Sequence, residues 1–370
     1  MAEALSVLHV AQPTEAGVAR IAADLAADQV ERGWRVAVAC PPDGSLPAWV
    51  RSVGAQHLEW RAGRSPGPAL PREVAALRRV VARFDPDLVH LHSSKAGLVG
   101  RLLLRRRRPT VFEPNAWSFE AVDGPIAGMV RAWERRGSRW TDAIICVSRA
   151  EMDLGRAAGI EGEWRVIPNG IDLHRFPPAS RDDLQAARRI LGIPDDPMVV
   201  CVGRLSEQKG QDLLLDAWPL VLAACSEARL YLVGDGPERT TLETRGSARV
   251  GLVGERADVP AWLAAADVVA MPSRWEGCSL TMLEAMARAR SIVASDVSGA
   301  REALDEGAGR VVPIGNVAVL GAAIVERLKD PGLRDSEGRT GRRRAEERHD
   351  LRKTSQQIAD EYEAILARRG

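Results

Sequence analysis

The chain has 370 residues, 45% hydrophobic and 27% charged, with a formal net charge of +1. That length exceeds what one core usually supports and argues for two domains. The near-zero charge removes any bulk electrostatic case for nucleic acid, and no run of 18 apolar residues reads as a membrane span.

The opening MAEALSVLHVAQ carries an acid early and lacks a basic leader, so it reads as a first strand rather than a signal peptide. Short β-branched runs follow at 6–10, 35–39, 88–92, 110–112, 143–147 and 165–167. A second series lies at 198–202, 230–233, 250–253, 268–271, 292–295 and 310–312. Longer Ala/Leu/Arg-rich helical stretches separate them. This alternation predicts parallel sheets covered on both faces, about six strands in each half. The Pro-, Asp- and Gly-rich stretch 168–183 reads as the linker. The expected domains are 1–176 and 177–345, with a terminal helix over 346–370 crossing back to the first domain. The fold class is α/β, two Rossmann-like doubly wound domains facing across a cleft, with ligands outside the carboxyl ends of the strands. Five scattered cysteines without a CxxC pair suggest reduced, cytosolic thiols rather than disulfides or zinc.

Several motifs in the first half bear on chemistry. Asp85-Pro86-Asp87 mimics a metal-binding DxD, but it precedes a strand, away from the carboxyl edge, and reads as a turn. His90 and His92 alternate on one strand, which suggests that one points in and one out, or that both lie near its end. His92 would then face the cleft, or be a satisfied structural histidine. Lys95 is one of four lysines among 51 basic residues, which suggests an acceptor-side or anion-binding role. The run Arg105–Arg108 reads as a solvated helix end whose cations suit the dipole, with anionic lipid as the alternative partner. Trp117 marks the loop after the 110–112 strand as an acceptor-side candidate.

In the second half, GRLSEQKG follows the strand 198–202. Arg204 and Lys209 on such a loop suit a diphosphate, one as a planar fork and the other as a point charge. The alternative is a solvated basic loop. RWEGCSLTMLEAMARA, residues 274–289, follows the strand 268–271. It places Glu276 before a helix start near Ser279 or Leu280 and Glu284 in that helix's second turn. Uncapped helix amides favour phosphate, and carboxylates accept bonds from vicinal hydroxyls. Two carboxylates flanking an anion site fit a sugar linked through a diphosphate to a nucleoside. The alternative is a surface helix with acids in its first turns.

Together, VGRLSEQKG, LVGDGPER, PSRWEGCSLTMLEAMA and VIPNGIDLHRF resemble the retaining group 1 glycosyltransferases of family 4, of GT-B fold. DLVHLHSSKAGLVGR and AWSF resemble the N-terminal half of that family. The resemblance implies a nucleotide-diphosphate sugar donor, a UDP- or GDP-hexose or N-acetylhexosamine, and a hydroxyl acceptor on a small molecule, natural product, glycan or lipid. It implies no metal or other cofactor. Arg204 and Lys209 would hold the diphosphate, Glu276 the sugar, Glu284 the ribose, and the amides from Gly277 through Cys278, Ser279 and Leu280 to Thr281 the sugar or its phosphates. GDGPER and GLVGER would line the nucleobase side. Glu276, Asn115 and His92 are the catalytic candidates.

The chain departs from the family pattern at three places. Ala16-Gly17 stands where two glycines are common, leaving Gly17 as the one close approach to the donor. Asn115 stands where histidine is usual, and Ala289 and Ser291 stand where glycine and proline are usual. With no nucleophile evident near Glu276, a front-face route is expected. The alternatives are a non-hydrolysing sugar-nucleotide epimerase and a non-catalytic sugar-nucleotide-binding protein. The expected location is the cytoplasm, with the inner membrane face as the peripheral alternative.

Overall fold

The alternation of apolar strands and helices takes form as two all-parallel sheets in a computed structural model that describes residues 4–305 and 307–369. The chain divides into two units, Met1–Asn169 with Leu351–Gly370, and Gly170–Asp350. The first holds β1 (Ser6–Ala11), β2 (Arg35–Cys40), β3 (Gln56–Glu59), β4 (Leu88–His92), β5 (Thr110–Glu113), β6 (Ala143–Cys146) and β7 (Trp164–Val166), in the order β3-β2-β1-β4-β5-β6-β7. The second holds β8 (Met198–Val202), β9 (Arg229–Val233), β10 (Val250–Gly254), β11 (Val268–Met271), β12 (Ser291–Ser295) and β13 (Arg310–Val312), in the order β10-β9-β8-β11-β12-β13. Each order reverses direction once, between β1 and β4 and between β8 and β11. Those two places are where a doubly wound sheet opens a crevice at its carboxyl edge.

Helices cover both faces, so the central strands are buried throughout, as β1, β4 and β11 are. The period of two along a strand sets what each face carries. Leu8, Val10, Val89, Leu91 and Phe112 enter one core layer of the first unit. Val7, Leu88, Val111 and Ile145 enter the other, beneath Ile358, Tyr362 and Ile365 of the helix Leu351–Arg369. His9 pairs in register with His90, and His92 with Glu113. All four therefore lie on this second face. Of the two readings of His90 and His92, opposite faces is corrected, since residues two apart share a face and both rings are fully buried; both do lie in the carboxyl half of β4, which ends at His92.

The unit boundaries fall at 169/170 and 350/351, where 176/177 and 345/346 were expected. The shift has a local cause. Ile171 N donates to His349 O at 2.9 Å, Ile171 bridges Asp350, and Phe176 is buried, so this segment pairs within the second unit. β3 was not foreseen, because QHLE is a short edge strand with one buried apolar residue. No helix among the described residues is long and apolar enough to cross a membrane.

The helix Leu351–Arg369 is tied to its sheet by a polar contact as well as by apolar packing. Tyr362 Oη lies 2.5 Å from His90 Nδ1, both groups fully buried. Tyr362→Phe leaves that nitrogen without its partner, which costs about 1–3 kcal/mol. Urea unfolding followed by hydrogen exchange in β4 should show the loss there and not in β11. An unaltered β4 would mean that the hydroxyl contributes nothing.

Candidate active site

The crevice of the second unit is built by two loops that lean on each other. After β8 the chain passes Gly203 and Arg204, makes a short 3-10 turn at Glu207–Lys209, and enters the helix Gln211–Ala224 through Gly210. Gly210 has φ +65, and a Cβ there would stand 2.2 Å from the Pro272 carbonyl. Only glycine lets the loop after β8 close onto the loop after β11. Gly234, after β9, plays the same part toward Gly203, whose carbonyl would lie 2.1 Å from an added Cβ. The first glycine of GDGP thus packs loops together.

Across this seam, Arg274 donates to both oxygens of Asp212 at 2.9 and 2.6 Å and to Glu207 O at 2.8 Å. The Arg274 guanidinium holds the Asp212 carboxyl below its ordinary range. Arg274 N donates to Gln208 O at 2.7 Å, and Gln208 Nε2 donates to Trp275 O at 3.0 Å. So braced, Lys209 Nζ ion-pairs with Glu276, whose carboxylate also accepts from Ser273 Oγ at 3.2 Å. Arg204 is exposed, and its guanidinium pairs with no carboxylate among the described residues.

The helix Leu280–Ala287 begins just beyond Glu276, and the Ser279 side chain makes no capping bond to it. Its first-turn N–H groups therefore keep their affinity for an anion. Gly277, Cys278 and Ser279 are buried in the loop, while Leu280, Thr281 and Glu284 are partly buried. A small, partly open hollow lies here, lined by Ser273, Glu276, Ser279, Val297 and Ser298 among others.

In the first unit, Ala16 begins the helix Ala16–Glu31 with φ +61, ahead of Gly17. Asn115 follows β5 with φ +53, and its Nδ2 donates to Glu113 Oε1 at 3.0 Å. Glu113 is buried. Its other oxygen lies 3.1 Å from His90 Nε2 and 3.4 Å from His92 Nδ1, at poor hydrogen-bonding angles. His92 Nε2 meets His9 Nδ1 at 2.9 Å, and His9 Nε2 meets Gln29 Oε1 at 2.8 Å. The three histidines lie close enough to share a metal ion, yet each ring nitrogen already faces a protein group. His92 is a member of this buried network. Burial, and then His92, lower the His90 pKa from 6.5 to about 4. Burial, and then its histidine neighbours, depress His9. Burial alone would raise Glu113, but its histidine contacts outweigh that and hold it well below the usual carboxylate range.

Two further expectations are corrected, and the arginine run stands as the exposed helix end that was expected. Lys95 is no open cation: it forms a buried ion pair with Glu73 at 2.6 Å. Trp117 does not line a ligand surface. It is buried, stacks on Phe119 and donates through Nε1 to Glu151 O at 2.7 Å. In the arginine run, Arg108 pairs with Asp85 of the DPD turn and Arg105 lies over Trp140. Burial pushes the Cys40 and Cys201 thiols up to about 12, which suits packing rather than nucleophilic chemistry. Glu113 and Glu151 are among the buried carboxylates that went unforeseen. The second could have been read from Ser148-x-x-Glu151, the spacing of a helix capping box.

Residues 16–175 match the family described as Glycosyltransferase Family 4, and residues 196–330 match the one described as Glycosyl transferases group 1. A GDP-mannose-dependent monoacylated alpha-(1-6)-phosphatidylinositol monomannoside mannosyltransferase of Corynebacterium glutamicum is 37% identical over 219 residues, which span 55% of this chain and 58% of that protein. A GDP-mannose-dependent alpha-(1-6)-phosphatidylinositol monomannoside mannosyltransferase of Mycolicibacterium smegmatis is 32% identical over 290 residues, 74% of this chain and 75% of the relative. The crystal structure of Anabaena HepE in complex with UDP and glucose superposes with a TM-score of 0.83 at 25% identity, covering 97% of this chain and 99% of that one.

Buried His9 and His90 give the first unit a pH signature. Their folded pKa values lie below the unfolded value, so between about 4 and 6.5 the unfolded chain binds more protons. Their contribution is fully present above that window and is lost as pH falls through it. Hydrogen exchange in β4 and β11 across that range should show the first unit weakening on acidification before the second. Equal responses would contradict His9 and His90 being held neutral.

Proposed function

The chain belongs to family 4 of the glycosyltransferases, and on that footing we propose that it transfers a sugar, with retention at the anomeric carbon, from a UDP- or GDP-linked hexose or N-acetylhexosamine to an acceptor hydroxyl. Its two parallel sheets have the GT-B architecture. One observation carries the donor reading: Lys209 and Glu276 meet at the β8–β11 crevice, beside an uncapped helix start. The cation suited to phosphate and the carboxylate suited to sugar hydroxyls are neighbours. So must be the groups that bind the two sides of one sugar–phosphate bond. Arg204 adds a second cation on the diphosphate side, and Glu284 serves the ribose. The relatives bear names with GDP-mannose, and the superposed structure holds UDP and glucose, which supports a sugar nucleotide without selecting one.

In this reading the bond from the anomeric carbon to the diphosphate oxygen breaks while the acceptor oxygen bonds to the same face of that carbon. The hydroxyl proton passes to the departing diphosphate. Lys209, Arg204 and the amides at 277–281 stabilise the charge that develops there. Asn115 orients the sugar through a neutral hydrogen bond, and no metal is needed. The cytoplasm is the compartment we infer, from five cysteines of which none is in a disulfide.

The acceptor is read from a surface. Ile126 and Met129 are 55% and 67% exposed on the helix Gly124–Ser138, and Arg131, Arg136 and Arg139 are exposed along and just after it. A helix that carries exposed apolar side chains as well as exposed cations suits an anionic lipid surface and hence a lipid-borne hydroxyl. Flotation should recover the protein with phosphatidylglycerol vesicles and not with phosphatidylcholine ones, and Ile126→Asp with Met129→Asp should abolish recovery. Equal recovery with both lipids would remove the lipid-surface reading.

The donor site is tested by calorimetry. A charged contact is worth about 1.5–3 kcal/mol, so Lys209→Ala should weaken UDP or GDP binding by roughly tenfold or more. Glu276→Gln should spare the free diphosphate while impairing the sugar nucleotide and turnover. Unchanged nucleotide affinity in Lys209→Ala would refute the clamp, and epimerisation of the donor without acceptor would replace transfer by isomerisation.

A further inference from the structure

The turn after β5 holds two consecutive residues in the left-handed region without a glycine, Asn115 at φ +53 and Ala116 at φ +84. Asparagine tolerates that region, but alanine gains nothing there, so the surroundings must impose it. The imposing group is on another loop. Glu151, in the first turn of the helix Arg149–Ala157, is fully buried. Its Oε1 accepts from Ala116 N at 2.6 Å, and its Oε2 accepts from Val147 N at 2.8 Å. Its own carbonyl takes the Trp117 indole N–H at 2.7 Å, so the same residue grips the turn at two successive positions. The turn is also tethered by Asn115 Nδ2 on Glu113 and by Trp117 N, which donates to Glu120 Oε2 at 2.9 Å.

A Ser-x-x-Glu sequence at a helix start ordinarily turns its carboxylate back on the N-cap amide. Here Ser148 Oγ accepts from Glu151 N at 3.1 Å, and the carboxylate reaches outward to the turn after β5. A buried carboxylate is a poor stabiliser when replacement by a neutral group is open to a protein. Both of its oxygens are consumed in joining the β5 and β6 loops. We propose that Glu151 is a positioning residue: by joining the amides of Ala116 and Val147 it holds the left-handed turn that sets where the Asn115 side chain points during sugar transfer. This rests on the transferase reading for Asn115's task, and on the hydrogen bonds alone for the turn's conformation.

The state of Glu151 supplies a readout. Burial first of all raises its carboxyl to about 7, against the two amides that lower it. The charged groups that face it are Glu113 on β5 and Glu120 in the 3-10 turn that follows, both of which raise it further. The Cys146 thiol on β6 is itself pushed above its usual range by burial and then by Glu151. Below about pH 7 one oxygen becomes a donor and one of the two amides loses its acceptor.

The test uses the full chain and the variant Glu151→Gln, whose amide offers one acceptor instead of two. Hydrogen exchange at Ala116 and Val147 should speed up by tenfold or more at one of the two sites. Turnover should fall by roughly 100-fold, as a small misplacement can produce, with donor KM within about twofold of wild type. The wild-type rate should drop on the acid side with a midpoint near 7, and that limb should be missing from the variant. Should the variant not fold, the wild type decides: Ala116 or Val147 protection must fall as pH drops through 7. Exchange that is unchanged in the variant, or faster exchange with unaltered turnover and the same pH limb, overturns the proposal. A wild type that transfers nothing refutes the transferase reading instead, and the exchange of the Ala116 and Val147 amides, which needs no substrate, still decides the position of the turn.

Discussion

Lys209 and Glu276 come from loops 67 residues apart in sequence, and a parallel sheet offers one place where such loops can meet with space left for a ligand. That place is the reversal of strand order between β8 and β11. Elsewhere in the second unit, successive loops pack directly on each other, as Gly234 does on Gly203. At the reversal the helices depart to opposite faces, and the two loops must be braced across the gap. Gly210 under Pro272, and Arg274 on Asp212 and Glu207, supply the brace. The ion pair is therefore held in a fixed frame. A ligand that supplies an anion to Lys209 and hydroxyls to Glu276 replaces their mutual contact without asking the loops to move. Such preorganisation is what electrostatic stabilisation of a leaving group requires.

The first unit solves a different problem. Its sheet buries three histidines, Glu113, Gln29 and Tyr362 on one face, where apolar residues would pack more simply. The polar groups answer one another in a chain running from the terminal helix through His90 to Glu113 and on to Asn115. Each departure from the family pattern named in the sequence has a residue at positive φ: Ala16, Asn115 and Ala289. The backbone there keeps a shape suited to glycine or asparagine, and two alanines accept it at roughly 1–2 kcal/mol each. In these places geometry is the stricter requirement, and the side chain has drifted around it.

Much of this was legible because buried parallel strands leave a strong mark. The runs 88–92, 198–202, 268–271 and 310–312 match β4, β8, β11 and β13 end to end, each rich in Val, Leu or Ala and without a turn residue. β3 escaped because an edge strand needs only one buried side chain. Arg204, Lys209 and Glu276 were legible as candidates because they stand on strand-end loops, and the structure brings two of them, Lys209 and Glu276, into contact. Lys95 was misread for the converse reason. Rarity of lysine marks a residue as selected, but a buried partner such as Glu73, 22 residues earlier, satisfies that selection without a ligand. Glu113 stayed invisible because its partners lie on neighbouring strands, and register, which sequence does not state, decides who they are; Glu151 was legible as a helix-start residue but not as the partner of the Ala116 amide.

The central claim is that the β8–β11 crevice receives the diphosphate of a sugar nucleotide. A crystal structure of the protein grown with UDP or GDP tests it most directly. The account predicts diphosphate density between Arg204 and Lys209 on one side and the amides at 277–281 on the other, with Lys209 drawn from Glu276 to phosphate. Density at another strand edge, or a nucleotide bound while Lys209 and Glu276 remain paired to each other alone, would contradict it.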